Sequence, residues 1–160
     1  MSATLSDRVL SYLDEHTTLG LATTGPAGLW AAAVLYVHDR GRLYFTSVAT
    51  TRHGVNIAAT GVAAGTIHDD CKSWMGMKGV QLEGRVDPVT DHDELVRVAD
   101  AYLRHFPYAA PLWNGTTDPE KVAADPGLHG FFRLTPSRML FMDNEHGTMG
   151  RADEVTLARA

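Results

Sequence analysis

The sequence predicts an α+β fold: a small, mainly antiparallel β-barrel with flanking helices, formed as one domain over residues 1–160. Three observations predict it. The N-terminal third holds three β-rich runs separated by short Gly-containing turns, the pattern of an antiparallel meander. The run 72–89 is long for a strand unless it bends, and it carries Gly76, Gly79 and Gly84, where a strand can bulge or kink around a barrel. Helices and strands do not alternate as βαβ units, and no Gly-rich Rossmann or P-loop fingerprint follows a strand. A doubly wound nucleotide-binding fold is therefore disfavoured.

Each element has a local reason. Residues 5–16 place Val9, Leu10, Tyr12 and Leu13 mostly on one side of a helix, with Ser6 as N-cap and Asp7 in the first turn. Strands at 18–24 and 29–38 are joined through Gly25-Pro26-Ala27-Gly28, and Asp39-Arg40-Gly41 turns the chain into a third strand at 42–47. A short helix follows near 51–60. Next come a strand at 62–68, the long strand at 72–89, and a helix that starts at Thr90-Asp91-His92-Asp93 with Thr90 as its cap and ends before Pro107. Pro107, Pro111, Pro119 and Pro126 make 107–127 a loop with one helical turn at 119–124, and loops of this length are usually functional or mobile. Two strands, 130–134 and 139–143, hinge at Thr135-Pro136-Ser137. A tail over 144–160 holds a last strand at 154–157.

Composition excludes several classes. The net charge of −5 argues against general nucleic-acid binding, which rests on many cations neutralising phosphates. No apolar run approaches the ~20 residues that span a bilayer, so no membrane partner is expected. A single cysteine, Cys71, rules out an intramolecular disulfide or a multi-cysteine zinc site. The opening Met1-Ser2-Ala3-Thr4 lacks a signal-peptide pattern, so a cytoplasmic location is expected and the Asn114-Gly115-Thr116 sequon is without consequence. The run His68-Asp69-Asp70-Cys71 offers N, O and S donors, but consecutive residues rarely converge on one ion, and no metal is assigned.

The most informative stretch is Leu43-Tyr44-Phe45-Thr46-Ser47 leading to Thr50-Thr51-Arg52-His53-Gly54-Val55-Asn56-Ile57. An apolar strand empties into hydroxyls and cations at a helix start, where exposed N–H groups and the helix dipole favour an anion. A phosphorylated cofactor suits it. Taken alone, the same residues also read as an ordinary Thr N-cap followed by an exposed arginine.

The segments that narrow the choice are Leu29-Trp30, the cradle run, Val62-Ala63-Ala64-Gly65-Thr66-Ile67, Lys72, Lys78-Gly79-Val80-Gln81-Leu82-Glu83-Gly84, Arg104-His105-Phe106-Pro107, and Leu134 through Phe141-Met142-Asp143-Asn144 to Gly150. In this order they resemble the pyridoxamine 5′-phosphate oxidase-like superfamily of FMN-binding split barrels, especially its short bacterial members. The resemblance implies a homodimer with FMN in clefts at the subunit interface. It implies that Thr51, Arg52 and His53 match the Ser/Thr-Arg-Lys phosphate grip, and that Phe45, Thr46 and Ser47 border the ribityl chain and phosphate. Ala31, Ala32, Ala33 and Val34 match the strand along the isoalloxazine, where small side chains would let a flat ring approach; alanines are also ordinary core residues. Gln81 is a candidate partner of the flavin or a barrel-filling glutamine. Lys72 and Lys78 are cations that could reach the cofactor from the neighbouring subunit, or simply solvated lysines.

Three departures bear on chemistry. His53 stands where the oxidases have lysine, so its charge near neutral pH depends on its surroundings. No arginine begins the second strand near Trp30, and residues 138–151 lack the basic substrate-phosphate motif of those oxidases. An FMN-dependent oxidoreductase acting by hydride transfer at flavin N5 on a small-molecule substrate is therefore expected, with pyridoxamine phosphate oxidation disfavoured and no catalytic residue singled out. The alternatives are a non-catalytic split barrel binding flavin, the deazaflavin F420 or haem.

Overall fold

The computed structural model describes residues 4–147 and 150–156. Helix α1 (Leu5–Glu15) is capped by Thr4, not by the expected Ser6. Thr4 and Asp7 form a reciprocal capping box, and the Ser6 hydroxyl instead donates to the Thr156 carbonyl at 2.8 Å. Strands β1 (Thr18–Thr23), β2 (Trp30–Asp39) and β3 (Arg42–Val48) form the expected meander. Arg40 and Gly41 both take positive φ, which matches the tight β2–β3 turn to the twist of the strands. Helix α2 (Arg52–Thr60) ends on Gly61, whose left-handed conformation directs its N–H to the Ile57 carbonyl.

Strand β4 (Val62–His68) is followed by β5 (Lys78–Pro88), which begins six residues later than the sequence suggests. Residues 72–77 cannot extend the strand because they turn. Met77 N–H donates to the Trp74 carbonyl, and Asn144 fastens the turn by donating its side-chain amide to the same carbonyl at 2.7 Å. Helix α3 (His92–His105) is capped by Asp91 rather than Thr90, with the Asp91 carboxylate accepting from Glu94 N–H. The Pro-rich loop carries the expected helical turn as α4 (Pro119–Ala124) and, in addition, a 3₁₀ segment at Pro107–Trp113.

The two final strands are one continuous strand, β6 (His129–Asp143). The expected hinge is a bulge: β5 and β6 shift register between Glu83 and Gly84, opposite the Pro136 region, and pairing resumes on both sides. The last strand, β7 (Asp153–Glu154), pairs with Leu140 and Phe141; residue 157 of the expected strand lies outside the described residues.

Among the described residues the strands form one antiparallel sheet in the order β3-β2-β1-β4-β5-β6-β7, and pairing of β3 with the first half of β6 closes six of them into a barrel. Side chains alternate across every strand, so the barrel has an inside and an outside. Leu19, Leu21, Leu43, Phe45, Ile67, Val80 and Phe141 fill the inside, with Val9, Tyr12 and Leu13 of α1 packed against them. Outside, Tyr44 and Phe131 are buried under α3, the 3₁₀ segment and α4, through Val98, Tyr102, Phe106 and Trp113. Glu94 anchors this second layer, taking two hydrogen bonds from Arg133 and one from the Tyr44 hydroxyl.

Gly84 shows how tightly the bulge is built. A Cβ there would lie 2.8 Å from Pro136 Cα and closer still to the Thr135 carbonyl oxygen, both backbone atoms with no side-chain freedom. Gly84→Ala is expected to lower unfolding free energy by about 3 kcal/mol in urea titration. A change below about 0.5 kcal/mol would mean that the bulge is not constrained in this way.

Candidate functional site

The cradle forms where β3 leaves the barrel. Ser47 and Phe45 share the inward face of β3; Phe45 is fully buried and stacked on Phe132, whereas Ser47 sits at the rim. The Ser47 hydroxyl lies 2.6 Å from His53 Nε2 and 3.2 Å from the Thr51 hydroxyl, so three of the expected residues come together. Thr51 is also the helix N-cap, accepting from Gly54 N–H at 3.1 Å. Gly54 permits this compact start, since a Cβ there would meet the Val48 and Ala49 carbonyl oxygens at 2.8 and 2.6 Å. The amides of Arg52 and His53 are the first two of α2 and have no acceptor within the helix.

Arg52 lies across the mouth. Its guanidinium stacks over the Trp30 ring at 4.7 Å and donates to the Leu29 carbonyl at 3.3 Å. Among the described residues no carboxylate neutralises it. Burial lowers the His53 pKa, so at neutral pH its imidazole is uncharged beside Ser47. The cradle thus has one fixed charge, two hydroxyls and a neutral imidazole.

Phe45 and Thr46, expected to border the ribityl chain and phosphate, do not line the cradle, Phe45 because it is enclosed in the core. Thr46 alternates to the opposite face of β3, where its hydroxyl donates to the His129 and Gly130 carbonyls. Lys78 lies at the far end of the sheet, with its ammonium 3.8 Å from Asp143 and over the Tyr12 and Phe141 rings. The alanine run divides by parity: Ala31 and Ala33 are exposed, Ala32 is half-buried and Val34 is in the core.

Ala31 and Ala33 belong to an open outer face. Register aligns Ala33, Gly20, Thr66, Gln81 and Leu140 in one row, and Ala31, Ala22, Ala64, Glu83 and Arg138 in the next. Gln81 therefore projects beside the small residues that the sequence placed along the ring. Part of this face forms a cleft of about 500 Å³, lined by Ala22, Leu29, Val62, Ala64, Glu83 and Arg85. Leu29 joins cleft to cradle, because its carbonyl accepts from Arg52.

Asn56 has a role that the sequence did not disclose. It is fully buried; its amide donates to the Gly28 carbonyl at 2.7 Å and to the Thr23 hydroxyl at 3.3 Å, and its carbonyl accepts from Ala27 N–H at 3.1 Å. These bonds fasten the β1–β2 turn to α2 and so fix Leu29 and Trp30 beside Arg52. A polar residue next to Ile57 on the buried side of a short helix was the available signal.

A family model described as pyridoxamine 5′-phosphate oxidase matches residues 5–143. A UPF0306 protein of Yersinia enterocolitica is 30% identical over 111 residues, covering 66% of this chain and 75% of its own. Among solved structures, a heme binding protein from Mycobacterium smegmatis aligns with a TM-score of 0.72 at 21% identity, over 98% of this chain. The chain spans 60% of that protein's length. HutZ, the heme storage protein of Vibrio cholerae, aligns with a TM-score of 0.68 at 17% identity, over 90% of this chain and 100% of that one. At these identities the solved structures establish a shared split-barrel fold.

Two outcomes follow from the geometry. Asn56→Ala leaves the Ala27 N–H and Gly28 carbonyl without their partner, and should cost about 2–3 kcal/mol of stability by urea unfolding; an unchanged midpoint would deny the staple. The lowered His53 pKa means that the unfolded chain takes up its proton first as pH falls. Its contribution is present above the unfolded value of about 6.5 and is lost as pH drops through the folded value. Relative to His53→Gln, the wild-type chain should therefore lose stability between pH 7 and pH 5. A pH-independent difference would contradict it.

Proposed function

Because the chain belongs to the pyridoxamine 5′-phosphate oxidase family, we propose that it is an FMN-dependent oxidoreductase, working as a homodimer on a small-molecule substrate other than pyridoxamine 5′-phosphate. The observation behind this is continuity: an un-neutralised arginine at a helix N-terminus opens beside a cleft of ligand-binding size floored by small residues. The residues fit the cofactor. Arg52, the Ser47 hydroxyl and the first amides of α2 suit its phosphate, with Thr51 capping the helix as its own hydroxyl donates to the Val48 carbonyl, while Ala31, Ala33, Gly20 and Ala64 leave room for a flat ring. FMN, when bound, supplies hydride chemistry at N5.

The chain's own part is binding and orientation. Arg52 gives the charge-assisted bond, and its stacking on Trp30 limits the arginine's freedom before the anion arrives. His53 starts neutral, so a phosphate beside it raises its pKa and is accompanied by proton uptake. Dimerisation is proposed from the open outer face, since a second copy would cover its small and apolar residues and exclude water from a ring held there. A haem-binding barrel is the second reading, favoured by the two heme-associated neighbours.

Arg52→Ala should weaken FMN about 10–100-fold and riboflavin less than about threefold, measured by fluorescence quenching. Equal losses would place the phosphate elsewhere. Visible spectra after adding FMN or haemin separate the two cofactors. Stopped-flow reduction by NADH, NADPH or reduced F420 then tests turnover: no reduction faster than that of free FMN would leave a binding protein, not an enzyme.

A further inference from the structure

At the end of the open face away from the cradle, register sets His68, Gly79 and Met142 in one row. Gly79 lets the strands approach closely, since a Cβ there would lie 2.9 Å from the Ile67 carbonyl oxygen and 3.0 Å from His68 Cβ. The exposed β4–β5 loop brings Cys71 and Met77 to a cavity of about 150 Å³ beside this row, which His68, Gln81 and Met142 also line. Residues bearing one imidazole, one thiol and two thioethers thus line a single small space, supplied by β4, the loop and β6.

The harder donors nearby are already used. Asp69 lines the same cavity, but one carboxylate oxygen lies 2.9 Å from His16 Nε2 and the other accepts from the Tyr12 hydroxyl at 3.2 Å. His68 Nδ1 lies 3.2 Å from the Asp69 carbonyl oxygen. A proton on Nδ1 donated to that carbonyl leaves the Nε2 lone pair for a ligand, the arrangement that orients most metal-binding histidines. The cluster Asp143, Glu145 and His146 has Arg8 and Lys78 on the same carboxylate, which disfavours a cation there; Lys78 also lines the present cavity, but its ammonium is directed to Asp143, 3.8 Å away.

We propose that this cavity is a soft-metal site, binding one Cu(I) ion through His68 Nε2, the Cys71 sulfur and the thioethers of Met77 and Met142. The donor set selects the metal: thioethers and a thiolate favour monovalent copper over Zn²⁺ or Mg²⁺, which prefer harder or fully ionised ligands. Binding is coupled to proton release, as Cys71–SH gives up its proton when the sulfur–copper bond forms; copper stays Cu(I) and nothing is oxidised or reduced. The ligands are distinct from Arg52, Ser47, Thr51 and His53, so this site stands or falls separately from the proposed FMN site.

The test is an anaerobic titration of the full chain with Cu(I) buffered by the chromogenic chelator bicinchoninate. The wild-type chain should withdraw one equivalent per chain. Cys71→Ser and Met142→Leu should each weaken binding at least about tenfold, whereas Met75→Leu, outside the cavity lining, should not. Met142→Leu nearly conserves volume, and circular dichroism verifies its fold. Retention of all copper by the chelator would overturn the proposal. So would loss on Cys71→Ser with none on Met142→Leu, which would indicate a lone thiol, or displacement of Cu(I) by equimolar Zn²⁺.

Discussion

Pairing of β3 with the first half of β6 closes the barrel and sets which way every strand residue faces. Closing the barrel forces each residue of β3 inward or outward, and that alternation sorts the cradle. Leu43 and Phe45 go into the core, where each fully buried side chain contributes about 1.5–3 kcal/mol. Ser47 continues the inward series to the rim and meets Thr51 and His53 at the start of α2. Tyr44 goes outward, into the layer beneath α3.

Closure also gives the barrel two outer halves with different fates. One is covered by α3, α4 and the 3₁₀ segment and fastened by the Glu94–Arg133–Tyr44 network. The other, made by β1, β4, β5 and the outer residues of β2 and β6, carries rows rich in alanine, glycine and threonine that no helix among the described residues covers. Both candidate sites are on this second half, with the arginine cradle at one end and the sulfur-lined cavity at the other. Division of labour between a buried and an open face follows from the sheet geometry and needs no separate domain.

The barrel was legible because its signals are local: turn residues at 39–41, alternation in the strands and Pro107 after α3. The cradle was legible in part. Thr51, Arg52 and His53 lie in a helix start, where consecutive residues can serve one site, and Ser47 reaches them from the strand end. Thr46 was grouped with Ser47 although adjacent strand residues face opposite ways, a rule that the sequence alone allowed. Asn56 was opaque because its partners Thr23, Ala27 and Gly28 are distant in sequence. Lys78 was expected to reach a cofactor from the neighbouring subunit; within one chain, α1 and Asp143 hold it at the end of the sheet away from the cradle. Met77 and Met142 join His68 and Cys71 only through the β5–β6 register and the loop fold.

The proposed arrangement puts an anion at the start of α2 and a flat ring on the alanine face. Backbone amide NMR of the ¹⁵N-labelled chain during addition of FMN, with riboflavin as the comparison, tests it most directly. The Arg52 and His53 amides should shift with FMN and not with riboflavin, and Ala31, Ala33 and Ala64 should shift with both through the ring current. Shifts confined to the β4–β5 loop, or identical Arg52 and His53 shifts with the two ligands, would contradict it.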